Sequence, residues 1–227
     1  PSNSTADLNI DGGTLDISAG TLNVSDCIDI VSGTFTQSGS SIVNVKTNTN
    51  NDGDSDHKFN MAAGTLNLTA GTMNLLGEVS DTAFHSMYIA PAVTTTSTTA
   101  HTINVSTNDA SGDEDRTIDL GDATNDIGNL TFDLTGHELY FKSNADILGN
   151  LTATNGDVDV LTYSVNVAGN AEFTNDDLLI STGILDVEGT FNSPNNTTFS
   201  DAGRLQLAGT VSSLGTMTST VGTVEYD

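Results

Sequence analysis

ADILGNL (145–151), VNVAGNA (165–171), LDVEGTF (185–191) and LQLAGTV (205–211) are one seven-residue phrase written four times, at a step of 20 residues. Glycine holds the fifth place each time: Gly149, Gly169, Gly189 and Gly209. Two residues earlier stand Ile147, Val167, Val187 and Leu207, and four residues earlier stand Ala145, Val165, Leu185 and Leu205. Two residues later come Leu151, Ala171, Phe191 and Val211, while the residue directly after each glycine is polar: Asn150, Asn170, Thr190 and Thr210. Alternation with period two marks a strand with one buried face. Apolar columns at a fixed longer period mark a repeat whose units stack.

The N-terminal half carries a finer rhythm. Gly13-Thr14-Leu15-Asp16-Ile17 is followed by Gly20-Thr21-Leu22-Asn23-Val24, and the unit returns at Gly64-Thr65-Leu66-Asn67-Leu68 and Gly71-Thr72-Met73-Asn74-Leu75. Each unit is long enough for one short strand and one turn, and three of them fill about 20 residues. The expected fold is therefore all-β: a parallel three-sided β-helix, or β-solenoid, of about 20 residues per coil, right-handed by the general preference of parallel crossovers. About eleven such coils, stacked roughly 4.8 Å apart, would make a rod on the order of 50 Å long. An antiparallel β-sandwich explains the short strands but not the columns.

The expected organisation is a single solenoid segment over residues 1–227, part of a longer protein, with loop excursions at 46–58 and 81–100. The first excursion is polar and rich in turn formers (KTNTNNDGDSDHK). The second holds Phe84, Met87, Tyr88 and Ile89, then Pro91 and a Thr-rich run, with a helical turn capped by Asp81 as one reading. Cys27, the sole cysteine, is expected near a coil corner beside the core residue Ile28, as a packed or half-exposed thiol rather than a reactive one.

Composition excludes several functions. Thirty acidic residues against five basic ones give a net charge of −25. Nucleic acid and anionic membrane surfaces both require clustered Lys and Arg, so neither is an expected partner. No apolar run is long enough for a spanning helix.

Asp52, Asp54 and Asp56 are the candidate metal ligands: oxygen donors at alternate positions of a flexible loop suit calcium. The loop is not an EF-hand, because Ala63 stands where such a loop needs Glu, and the same residues also make a plain turn. A second acidic stretch, 109–115, is weaker, with Arg116 beside it to offset charge. Catalysis has little to work with. Asn175-Asp176-Asp177 and Gly136-His137-Glu138 echo the motifs of β-helix polysaccharide hydrolases only faintly and in reversed order, and solvated turn carboxylates explain Asp176 and Asp177 better. No nucleophile elbow occurs. His57, His85, His101 and His137 lack ligand spacing and are expected at the surface or in loops. Outward pairs such as Thr14/Asp16 and Thr65/Asn67 are too mixed for an ice-binding face, and sequons such as Asn67-Leu68-Thr69 arise from strand alternation itself.

VAGNAEF (167–173), VEGTF (187–191) and the terminal GTVEY (222–226) resemble the very large repetitive surface proteins of Bacteroidota, which include gliding and adhesion filaments. The resemblance covers most of 115–227 and, more loosely, 8–75. It implies a secreted or cell-surface location, a non-enzymatic structural or adhesive role, and neighbouring coils, copies of the same protein or surface glycans as partners. A carbohydrate-active β-helix or glycan-binding module is the alternative.

Overall fold

The computed structural model describes residues 7–46, 58–76, 85–106, 115–122, 124–175, 177–219 and 221–227. These residues form 25 strands and no helix. The strands fall into a sheet of 19 and a sheet of six, and the registered pairings within them run parallel.

The quoted phrase builds the smaller sheet. Ala145–Ile147 pairs with Ser164–Val167, which pairs with Ile184–Val187, then Arg204–Leu207, then Thr223–Tyr226. Ala145 faces Val165, Val165 faces Leu185 and Leu185 faces Leu205; Ile147, Val167, Val187 and Leu207 line up in the same way. All eight side chains are buried. In the larger sheet Leu151 pairs with Ala171, Ala171 with Phe191, and Phe191 with Val211. From 164 to 219 three strands fall within each period, as in Ser164–Val167, Ala171–Phe173 and Leu178–Ile180, whereas the preceding period holds two, Ala145–Ile147 and the longer Leu151–Asp159.

Longer ladders tie the two halves together. One runs from Leu8 through Ile28, Phe59, Met87 and Ile118 to Phe141. Another runs from Arg116 through Leu139, Val158, Leu178 and Thr197 to Met217. The apolar side chains form one contiguous core from Ile17 to Leu207. Rings stack between neighbouring strands: Phe35 meets Phe59 edge-on with centroids 5.4 Å apart, and Phe173 meets Phe191 at 5.9 Å. Truncating a fully buried Leu such as Leu185 would cost about 2–5 kcal/mol, because little can move to fill the hole.

The glycine column has a steric cause. A Cβ on Gly189 would lie 2.4 Å from the carbonyl oxygen of Gly169, and one on Gly209 would lie 2.1 Å from that of Gly189. The same backbones are hydrogen-bonded, Gly189 N–H to Gly169 O at 3.0 Å, so they cannot separate to admit a side chain.

The excursion expected at 81–100 needs correction. Met87–Ile89 and Val93–Ser97 are strands of the large sheet, paired with Phe59–Met61 and Gly64–Leu68. The Thr-rich run hid its strand because Thr95 and Ser97 occupy positions whose partners are Leu66 and Leu68. β-branched Thr suits a strand, and Ser97 Oγ donates to Leu68 O at 3.3 Å. Pro91 sits in the connecting turn, where no ladder bond is lost. Residues 81–84, and with them the Asp81 cap, lie outside the described residues, as do residues 47–57 of the excursion at 46–58. Cys27 is buried and Ile28 has no exposed surface.

Candidate functional site

Outward polar side chains bond chiefly to their equivalents on the next strand. Asn44 donates to Asn23 at 2.8 Å, Asn74 to Asn44 at 2.7 Å, and Asn104 to Asn74 at 2.8 Å. At the turns, Asn129 Oδ1 accepts from Asn150 N–H, Asn150 Oδ1 from Asn170 N–H, and Asn170 Oδ1 from Thr190 N–H, at 2.8–2.9 Å. Asn129, Asn150 and Asn170, each directly after a glycine, are thus acceptors for the backbone of the next turn. Asp133, Asn155 and Asn175 form a third series.

Acidic residues are spaced by amides in the same manner. On the small sheet the outward column reads Asp126, Asp146, Asn166, Asp186, Gln206, Glu225. Asn166 donates to Asp146, and Gln206 to Glu225 at 3.1 Å. Where two carboxylates adjoin, burial together with the Asp146 charge raises the pKa of Asp126. Asp186 is raised as well, chiefly by burial and then by Glu188 and Asp227.

Of the residues singled out for chemistry, Asn175 and Asp177 are engaged in such bonds. Asp177 accepts from both the backbone and the side chain of Asn196; Asp176 lies outside the described residues. Glu138 accepts from the Tyr140 hydroxyl, and Tyr140 is raised above its usual pKa by burial first and by that bond second. Asp52, Asp54, Asp56 and His57 lie outside the described residues, as do 107–114. Among the described residues no group of three or more His, Cys, Asp or Glu could hold a metal ion.

Two buried polar sites were not foreseen. His101, expected at the surface or in a loop, begins a strand and has no exposed area. Its Nε2 lies 3.1 Å from Gln37 Oε1, while Gln37 Nε2 donates to Thr72 O at 2.9 Å and Ser41 O at 3.3 Å. Burial lowers the His101 pKa to about 4. Arg116, expected to offset the charge of the stretch 109–115, is only 2 % exposed.

One place departs from the ladder pattern. Tyr88, Pro91, Asp119, Gly121, Asp122, Lys142, Ser143, Asn144 and Tyr163 line an open groove of about 350 Å³. Tyr88 pairs with Asp119 across adjacent strands, and Lys142 N–H bonds Ile118 O on the next. Ser164 N–H bonds Asn144 Oδ1, which brings Tyr163 alongside. Tyr88 is held in place. His85 stacks on Tyr88 with centroids 5.7 Å apart, and its Nδ1 lies 2.7 Å from Thr117 Oγ1. Lys142 Nζ lies 5.0 Å from the Tyr140 ring centroid. Asp159 beside it is raised in pKa by burial, against the opposing effects of the Leu161 N–H bond and the Lys142 charge. Flat rings, an ammonium, an amide and two carboxylates around an open trough are equipment for recognition.

No protein family, curated protein or solved structure matches this chain, so its functional assignment rests on this geometry.

Proposed function

We propose that the chain is a segment of a right-handed, three-sided β-solenoid that serves as a structural and adhesive element of a secreted, cell-surface protein. The supporting observation is the 20-residue register together with the hydrogen bonding of its outward polar residues along the stack. Larger offsets also occur, as where Thr34 pairs with Thr65, 31 residues later. The ladder through Leu8 and the one through Met217 together make ten rungs, one short of the count expected from length, for a rod about 45 Å long.

A rod whose surface amides and carboxylates are engaged by one another is suited to hold distance. Its partners would be further coils, copies of itself or surface glycans. Calcium at Asp52, Asp54 and Asp56 remains part of this proposal on the strength of their spacing, and a thermal melt with and without chelator tests it; an unchanged melt rejects it. The competing carbohydrate-active reading is separated by incubating the protein with a panel of acidic polysaccharides. The structural reading predicts no release of reducing ends, and measurable cleavage defeats it.

A further inference from the structure

We propose that the groove between Tyr88 and Tyr163 is a binding site for a neutral saccharide chain. It deepens the adhesive reading by naming what the rod would hold, and rests on that reading only for its biological setting.

Four successive rungs contribute: Tyr88 and Pro91 from one, Asp119 and Asp122 from the second, Lys142 and Asn144 from the third, Tyr163 from the fourth. Three inter-rung steps span about 14 Å, so a ligand touching both tyrosines must be elongated along the stack. The trough, at about 350 Å³, is within the size range of small-molecule sites.

The lining selects the ligand. Three of the four tyrosines, Tyr88, Tyr140 and Tyr163, gather at or beside this groove in a chain without tryptophan. All three rings are half-buried, and Tyr88 is braced by His85, so they offer apolar faces at modest entropic cost, which suits the apolar face of a pyranose. Asp119 Oδ1 accepts from Gly121 N–H at 2.8 Å and Asp122 Oδ1 from Thr124 N–H at 3.0 Å, which fixes both carboxylates. A carboxylate has about four acceptor sites, so each retains capacity for a hydroxyl donor. Lys142 and Asn144 supply donors for hydroxyl and ring oxygens. An acidic saccharide would meet Asp119, Asp122 and Asp159 with Lys142 as the nearby cation, on a chain of net charge −25. A wholly apolar ligand would strand these polar groups without water.

The adjoining backbone is strained. Leu161, two residues before Tyr163, has φ +54°, the single positive-φ residue other than glycine among those described. Such strain persists where the surroundings over-determine it, and it concentrates at binding sites.

The test is a titration of the whole protein, followed by tyrosine fluorescence and by NMR, with cellotetraose, mannotetraose, maltotetraose and tetra-N-acetylchitotetraose, and with tetragalacturonate as the charged control. We expect saturable binding of at least one neutral tetrasaccharide with a dissociation constant of about 1 mM or tighter. Tyr163→Ala and Lys142→Met should each weaken it about tenfold or more with the melting temperature unchanged. A response from none of the neutral sugars, a response from tetragalacturonate alone, or undiminished binding by both variants would each overturn the proposal. Failure here leaves the strand register intact, which cross-linking tests separately.

Discussion

Asn150 Oδ1 accepts a hydrogen bond of 2.8 Å from the backbone N–H of Asn170, its equivalent 20 residues later. The bond links two turns that the glycine column forces into close approach, and it recurs at the next period as Asn170 to Thr190. It also explains a composition rich in Asn and Thr: these side chains satisfy backbone donors that a tight turn leaves unpaired.

Asn170→Ala should therefore cost about 1 kcal/mol, because Thr190 N–H loses its acceptor. Asn170→Asp keeps an oxygen in place and should cost less. Urea unfolding of the two variants checks the order; equal losses would show that the bond matters little.

Gly189→Ala should be more severe than Gly136→Ala. At Gly189 the new methyl meets Gly169 O at 2.4 Å, and relief requires two hydrogen-bonded turns to part, at a cost of about 3 kcal/mol or more. At Gly136 nothing lies within 4 Å, and the penalty is the left-handed φ of +81°, about 1–2 kcal/mol. Thermal melts of both variants measure the difference.

His101 makes stability fall in acid. Its folded pKa is lowered from 6.5 to about 4 by burial, so between these values the unfolded chain binds the extra proton and the folded chain does not. Its contribution is complete above pH 6.5 and is lost as pH falls toward 4, up to about 3 kcal/mol in all. The raised carboxylates Asp126, Asp159 and Asp186 act in the opposite sense, holding their protons better when folded. Comparing wild type with His101→Gln across pH 4–7 isolates the histidine; parallel curves would refute the assignment.

Leu161 occupies a turn that elsewhere uses glycine. Asp159 Oδ1 accepts from Leu161 N–H as Asp119 Oδ1 accepts from Gly121 N–H, and Gly121 has φ +69°. Leu161→Asn, which tolerates that conformation, should raise stability by up to about 1 kcal/mol. A loss on unfolding assays would show that leucine packing outweighs the strain.

The apolar columns and the glycines were legible because a repeat is visible wherever each position keeps one chemical character. Asn150, Asn170 and Thr190 could be read as constantly polar, but Asn150 and Asn170 could not be read as acceptors, since that needs the turn geometry. Val93–Ser97 escaped because Thr95 and Ser97 stand at positions where neighbouring strands carry leucine. Gln37 and His101 escaped because they bond one another across 64 residues. The groove was hidden for a similar reason: Tyr88, Asp119, Lys142 and Tyr163 are not periodic, and they meet only because irregular segment lengths bring them onto adjacent rungs.

The stacking of residues 20 apart is tested most directly by paired cysteines on the outward column of the small sheet. Asn166 and Asp186 are register partners, within reach of a disulfide, whereas Asn166 and Gln206 are two steps apart, about 9.6 Å, and out of reach. Under mild oxidation Asn166→Cys/Asp186→Cys should cross-link quantitatively and Asn166→Cys/Gln206→Cys should stay reduced. Failure of the first pair, or equal reaction of both, would contradict the stacked register.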